Sequence, residues 1–153
     1  MIIRQAKLLD ADSIGQLIYE FYEESLSAYD LGFESDAVKQ TIKQIISSNI
    51  AFVSEESERI SGVIAGVINS SIFDYRQTVA YELIWFVSKP YRRGRAGMML
   101  LKKFEQHCEN MGASKIVMKH MENLNASDMN QLYERKKYKL MELEYIKNIK
   151  VAV

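Results

Sequence analysis

The sequence predicts a single domain, residues 1–153, of mixed α/β architecture. Its length and its 48% hydrophobic content suit one domain with a substantial buried core. Short runs rich in β-branched and aromatic residues alternate with segments whose apolar residues recur at helical spacing. Residues 78–119 read as a strand, a glycine-containing turn, a helix and a second strand. That order predicts a right-handed βαβ crossover with parallel strands.

The first third of the chain predicts a strand followed by two amphipathic helices. Residues 2–7 read as the strand, and Asp10 is placed to cap the first helix. Ser35 is placed to cap the second helix, which we expect to end near Ser48. The helical apolar positions are Ile14, Leu17, Ile18 and Phe21 in the first helix and Val38, Ile42, Ile45 and Ile46 in the second.

The middle of the chain predicts three strands. Residues 50–54 and 60–69 form a hairpin around the charged stretch 55–59, and residues 78–87 form a central strand. Gly62 and Gly66 fall on one face of the second strand, so we expect another element to pack closely there.

The last third predicts a helix with one apolar stripe, then a strand, a helix and one or two final strands. The first of these helices is expected to end at Gly112, a natural position for a left-handed cap. Residues 115–119 predict the strand, 127–136 the helix and 138–149 the final strands. The stripe consists of Met98, Leu101, Phe104, Cys108 and Met111.

Charge and cysteine content narrow the class of protein. Lys plus Arg and Asp plus Glu both number 20, so the average surface favours neither nucleic acid nor membranes. A single cysteine, Cys108, forms no internal disulfide, and no run approaches the roughly 20 apolar residues of a membrane span. The first residues read as a strand and lack the apolar core of a signal peptide. We therefore expect a reduced, soluble, cytoplasmic protein.

Three arginines and two glycines stand where the central strand ends and the next helix begins. A helix N-terminus carries partial positive charge, so Arg92, Arg93 and Arg95 are unfavourable there unless an anion binds among them. Gly94 and Gly97 would let the backbone approach a phosphate, and the first-turn N–H groups would point at it. We therefore predict a pyrophosphate-binding loop.

The run from Val87 to Leu101 and the segments Leu132-Tyr133-Glu134-Arg135 and Glu144-Tyr145-x-Lys147 resemble the GCN5-related N-acetyltransferases (GNAT). The resemblance covers most of the chain in its order of elements. It implies a mostly antiparallel sheet of six or seven strands, about four flanking helices and one cofactor-binding crossover. It also implies transfer of acetyl from acetyl-coenzyme A to a primary amine without a metal, and it makes a homodimer an expectation.

In that family an Arg or Gln, two residues, Gly, one residue and then Gly or Ala wrap the pyrophosphate. Aligned on Arg92, this chain has Gly97 in the last slot, Arg95 in place of the first glycine and Gly94 one position early. The resemblance implies that a backbone N–H of Phe86 or Val87 holds the thioester carbonyl. The implied cofactor-binding residues are Phe86, Val87, Arg92, Arg93, Gly94, Arg95, Ala96, Gly97 and Asn125.

Two side chains are implied for catalysis. Glu82, on the strand that leads to the loop, is the candidate base; the alternative is a solvated or salt-bridged strand glutamate. Tyr133 is the candidate acid, because similar enzymes carry a tyrosine here that reaches the sulfur; the alternative is that its ring only packs. Those enzymes follow it with glycine and an aromatic residue, where this chain has Lys137 and Tyr138.

Other polar and aromatic residues are weaker candidates. Asn123 and Asn125 contact the pantetheine arm or cap the helix that begins near Ser127. His120 is either a substrate or cofactor contact or a solvent-facing loop residue. Cys108 is expected to be buried, and no zinc site is expected at His107. An aromatic and acidic wall for a cationic acceptor could form from Glu20, Glu23, Glu24, Phe21, Tyr22, Tyr29, Phe33, Phe73 and Tyr75.

Two other functions stay open at this point. The chain could be a catalytically silent member of the family that binds acyl-coenzyme A and a partner, because Arg95 and Lys137 stand in glycine slots. It could instead bind nucleic acid through a basic surface with stacking aromatics, although its overall charge is neutral. That surface would consist of Lys89, Arg92, Arg93, Arg95, Arg135, Lys136, Lys137 and Lys139, with Tyr91 and Tyr138.

Overall fold

The computed structural model describes residues 1–48 and 50–149 and confirms the mixed α/β fold class. One five-stranded sheet and four α-helices are formed by these residues. Their bounds in chain order are β1 Ile2–Gln5, α1 Ala11–Phe21, α2 Ser35–Ser47, β2 Ala51–Glu56, β3 Arg59–Ser70, β4 Thr78–Val87, α3 Ala96–Asn110, β5 Lys115–Val117 and α4 Ala126–Arg135.

The strands follow one another across the sheet in the order β1-β2-β3-β4-β5. The pairs from β1 to β4 are antiparallel, and β4 pairs with β5 in parallel, which confirms the predicted crossover. The parallel ladder joins only residues 79–81 to residues 115–117. Beyond Tyr81 the two strands are no longer paired, and this opens a gap between β4 and the segment that follows β5.

Helices cover both faces of the sheet. α1 and α2 pack on one face, with Ile14 and Ile42 in that core, and α3 packs on the other face, with Leu100 and Phe104 in its core. The close approach predicted at the β3 glycines is confirmed. A Cβ atom at Gly66 would lie 2.7 Å from the Phe104 ring, which leaves no room for a side chain.

A β-bulge in β4 changes which face its side chains occupy. Ala65 pairs with Ile84 while Gly66 pairs with Glu82, so Leu83 is the extra residue. Paired residues point to the same face, and Gly66 faces α3. Glu82 therefore points toward the α3 face, whereas Ile84 packs in the core under α1 and α2.

The two predicted helix caps are made differently. Asp10 precedes α1 but makes no cap bond to it; its carboxylate accepts the Lys7 N–H and two bonds from Arg4. Glu34 rather than Ser35 caps α2, because its longer side chain reaches the N–H groups of both residues 36 and 37. The expected left-handed cap at Gly112 is confirmed, with φ of 81°.

The prediction of one or two strands in residues 138–149 is wrong, and the sheet has five strands where six or seven were expected. Apolar residues in this segment predict a strand, but a strand forms only when its backbone has a neighbour to pair with. Within the described residues, Leu140 and Tyr145 are 80% and 92% exposed. None of the described helices is long and apolar enough to cross a membrane.

Candidate active site

Glu82 and Tyr133 both bond to the backbone of Lys119 beside the gap. The Lys119 N–H donates to Glu82 Oε2 at 3.0 Å, and the Tyr133 hydroxyl donates to the Lys119 carbonyl at 2.8 Å. Glu82 comes from the bulged part of β4, Tyr133 from α4, and Lys119 from the segment just after β5. The sheet stops pairing here, so side chains satisfy the N–H and the carbonyl of Lys119 in place of a neighbouring strand.

Glu82 is a buried carboxyl without an ion-pair partner among the described residues. It is 4% exposed, and burial raises its pKa to about 7, an effect that the bond from the Lys119 N–H opposes. The solvated or salt-bridged alternative does not hold. The structure records no bond to Oε1, and no fully buried side-chain oxygen in the described residues lacks a partner. Oε1 therefore keeps a small exposure to solvent.

Tyr133 is held by rings on three sides. Its ring lies 6.4 Å from Trp85, 6.0 Å from His120 and 5.4 Å from Tyr138. Burial, and secondarily the charge of Glu82, raises the pKa of the Tyr133 hydroxyl, which therefore stays protonated in neutral solution. Sequence patterns cannot foresee the bond to the Lys119 carbonyl, because a backbone acceptor carries no side-chain signature.

The helix that carries Tyr133 ends in a left-handed turn made by a lysine. Lys137 has φ of 67°, where the family resemblance led us to expect glycine. The Tyr138 N–H bonds to the Tyr133 carbonyl and the Lys137 N–H to the Glu134 carbonyl, the pattern of a Schellman motif. Glu105 accepts from the Tyr138 hydroxyl at 2.8 Å and so anchors the turn to α3.

The loop between β4 and α3 exposes backbone donors and two arginines. Arg93 and Arg95 are exposed and form no ion pair with a described residue. The N–H groups of residues 95–98 find no acceptor in the described structure, as expected for a first helical turn. Gly94 and Gly97 lie outside the left-handed region, so these positions do not need the backbone freedom of glycine. What the two glycines provide is the space that a side chain would fill. A Cβ at Gly97 would stand 3.7 Å from Val87 and 3.8 Å from Trp85.

Arg92, the first residue of the loop motif, is occupied within the protein. Its guanidinium donates to both oxygens of Glu24, at 2.7 and 2.8 Å, and Nε donates to the Val87 carbonyl at 2.7 Å. Its Cζ atom lies 4.8 Å above the Phe86 ring. Glu24 is 68 positions away in sequence, so the pair has no local signal.

The backbone at the end of β4 offers one donor to the gap. The Ser88 N–H donates to the Ser61 carbonyl, and Gly62 pairs with Val87. Antiparallel pairs alternate between bonded and non-bonded, so the Phe86 N–H points to β3 and the Val87 N–H points to the gap. Of the two residues that the resemblance implied, Val87 has the available donor.

Of the remaining polar candidates, Asn123 and His120 have side-chain contacts with other residues. Asn125 occupies the N-cap position of α4 in the left-handed region, but its side chain forms no cap bond. Asn123 Nδ2 donates to the Ser25 carbonyl at 3.0 Å. His120 Nε2 lies 2.9 Å from Asn130 Oδ1, in addition to its contact with the Tyr133 ring.

Cys108 is buried in the core under α3, as expected.

Of the proposed acidic wall, Glu20 accepts from Ser88 at 2.7 Å and Glu24 from Arg92, while Glu23 is exposed. Phe73 and Tyr75 are 93% and 82% exposed in the β3–β4 turn, at the opposite end of β4 from the loop. No group of three potential metal ligands occurs in residues 1–48 and 50–149.

Comparison with known proteins gives one family match and a set of solved structures with a similar fold. A family model described as the acetyltransferase (GNAT) family matches residues 16–137. No curated protein sequence matches the chain significantly.

Solved structures are similar in fold at low identity. A possible acetyltransferase from Clostridium difficile 630 superposes with a TM-score of 0.75 at 15% identity, covering 98% of both chains. Glucosamine-6-phosphate N-acetyltransferase from Arabidopsis thaliana gives 0.73 at 14% identity, with 97% of this chain and 98% of the other covered. AAC(6')-Iy, solved in complex with the bisubstrate analogue CoA-S-monomethyl-acetylneamine, gives 0.74 at 12% identity, with 98% of each chain covered.

Proposed function

The chain belongs to the GNAT acetyltransferase family, and we propose that residues 1–153 form one domain that transfers the acetyl group of acetyl-coenzyme A to a primary amine. The observation that carries the proposal is the convergence of Glu82 and Tyr133 on the backbone N–H and carbonyl of Lys119 beside the gap. A carboxyl with raised pKa and a phenol that stays protonated are a suitable base and acid pair.

The loop between β4 and α3 fits the pyrophosphate of acetyl-coenzyme A. The unpaired N–H groups of residues 95–98 and the free charges of Arg93 and Arg95 are the donors that a phosphate requires. Acetyl-coenzyme A supplies an acetyl thioester, and the Val87 N–H is available to donate to its carbonyl oxygen. Asn125, exposed beside α4, is the proposed contact for the pantetheine arm.

Glu82 is proposed as the general base. A primary amine is mostly protonated in neutral solution, because its pKa is about 10.4. Oε1 keeps a small exposure to solvent, so Glu82 can take the amine proton directly or through water, while Oε2 stays bonded to Lys119. A base whose pKa is about 7 is partly ionised at neutral pH and still holds a proton well.

Tyr133 is proposed to donate a proton to the departing thiolate of coenzyme A. Its hydroxyl keeps its proton because burial raises the pKa. In the resting state the Tyr133 hydroxyl donates its hydrogen bond to the Lys119 carbonyl. To protonate the sulfur, the hydroxyl must therefore turn away from this carbonyl. The cytoplasmic location and the homodimer are further proposals that follow from composition and from the family.

The test is acetyl-coenzyme A binding together with release of free thiol. We expect acetyl-coenzyme A to raise the melting temperature and a panel of primary amines to include one that releases thiol. Tyr133→Phe should lower kcat by about 100-fold while leaving acetyl-coenzyme A affinity unchanged, since it removes an acid and keeps the ring. Full turnover by this variant would exclude the acid role.

The same experiment separates the two other functions. Thermal protection without thiol release from any amine would favour the silent binding protein. Salt-sensitive binding of nucleic acid without thermal protection would favour the basic surface. That surface is already partly neutralised, because Arg92 pairs with Glu24 and Lys136 with Glu105.

A further inference from the structure

The turn that follows α1 is bonded to elements on both sides of the gap. After Phe21 the helix widens into a π-helical turn, Tyr22–Leu26, in which the Ser27 N–H donates to the carbonyl five residues earlier. Wide turns of this kind are rare, and they occur often at functional sites.

On the β4 side, the turn is fastened by Arg92. The guanidinium binds both oxygens of Glu24 and also the Val87 carbonyl at the end of β4. One turn earlier on α1, Glu20 accepts from the Ser88 hydroxyl at 2.7 Å. The Glu24 carboxylate already neutralises the positive charge of Arg92. A phosphate that approached Arg92 would therefore meet this carboxylate as well.

On the side of β5, the turn is fastened by Asn123. Its Nδ2 donates to the Ser25 carbonyl at 3.0 Å, from the segment that joins β5 to α4. Ser25 is 1% exposed, and its hydroxyl donates to the Phe21 carbonyl at 2.7 Å. Asn123 therefore bonds to a buried, internally hydrogen-bonded part of the turn.

We propose that Arg92 and Asn123 are positioning residues that fasten the π-helical turn across the gap, so that the turn fixes where the amine acceptor lies relative to Glu82. The inference rests on the proposed function. Arg92 then acts on the acceptor side, and the cations that contact the pyrophosphate are Arg93 and Arg95.

The sharpest test is Glu24→Gln, which frees the charge of Arg92 without changing the size of the side chain. We expect KM for the amine, measured with spermidine and an aminoglycoside as primary-amine probes, to rise at least fivefold. Acetyl-coenzyme A affinity, measured by titration calorimetry, should change less than twofold. Glu109→Gln, an exposed carboxylate in the last turn of α3, is the control and should change neither. Tighter acetyl-coenzyme A binding by Glu24→Gln would mean that Arg92 is a phosphate ligand, and would overturn the proposal.

Hydrogen exchange gives a second readout that needs no activity. In the cofactor-free protein, amides of residues 22–27 should exchange at least tenfold faster in Glu24→Gln and in Asn123→Ala than in the wild type or Glu109→Gln. Unchanged exchange would refute the fastening even if the enzyme is active. Wild-type protein that binds no acetyl-coenzyme A would refute the proposed function, while the exchange result would still report on the turn.

Discussion

The gap beside β4 has an inner end at Glu82 and an outer end at the loop before α3. The ionisable side chain at the inner end is buried, whereas most of those at the outer end are exposed. At the inner end a carboxyl that forms no ion pair with a described residue is buried, and burial raises its pKa to about 7. At the outer end one of three arginines is paired with Glu24, while Arg93 and Arg95 remain exposed. Side-chain chemistry is thus concentrated at the inner end, and backbone donors with exposed cations at the outer end.

The largest effect is expected from a substitution that changes only the inner end. Glu82→Gln keeps the bond to the Lys119 N–H but removes the base, so kcat/KM for the amine should fall by about 100-fold or more. In the wild type, kcat/KM should rise with pH through about 7 as Glu82 ionises. Steady-state kinetics across pH 5–9 would check both. An unchanged pH profile in Glu82→Gln would remove Glu82 from the mechanism.

A smaller effect is expected when only the outer end is changed. Arg95→Met removes one charge-assisted donor, which is worth about 1.5–3 kcal/mol, so acetyl-coenzyme A affinity should fall by about 10-fold or more. Arg93→Met should act similarly, and kcat with saturating acetyl-coenzyme A should change little. Lys102→Met, an exposed cation further along α3, is the matched control for calorimetry. Equal, small losses in all three variants would mean that the loop does not bind phosphate.

The pH dependence of stability sharpens the comparison without requiring activity. Burial raises the pKa of Glu82 from its ordinary value of 4.5 to about 7 in the folded protein, so folding favours the protonated form. This contribution to the free energy of unfolding is fully present below pH 4.5 and is lost as pH rises through 7. Glu82→Gln avoids the loss and should be more stable than wild type at pH 8, by on the order of 1–3 kcal/mol. Urea titrations at pH 5 and pH 8 measure the difference, and an equal pH response in both proteins would contradict it.

The smallest expected effect concerns the turn that supports Tyr133. Lys137 has φ of 67°, a conformation that glycine adopts without steric cost, so Lys137→Gly should raise the free energy of unfolding by about 1 kcal/mol. Gly112 occupies the equivalent position after α3, with φ of 81°. Gly112→Ala should therefore lower stability by a similar amount. Two denaturation midpoints that move in the same direction would contradict this reasoning.

Much of the architecture was predictable because it depends on local patterns. β4 has the predicted bounds, and the hairpin, the crossover and the cap at Gly112 follow from residue types along the chain. The lack of strands in residues 138–149 was not predictable in this way. These residues have the composition of a strand but no paired neighbour in the described structure.

The sequence by itself determined which residues gather near the gap: a carboxylate on the central strand, a tyrosine on the last helix, and arginines and glycines at a strand-to-helix turn. Only the tertiary structure decided what those groups bind. It paired Arg92 with Glu24 and joined Glu82 and Tyr133 through the Lys119 backbone. The physical reason is that charge neutralisation and burial depend on partners distant in sequence, and a backbone acceptor is the same at every residue.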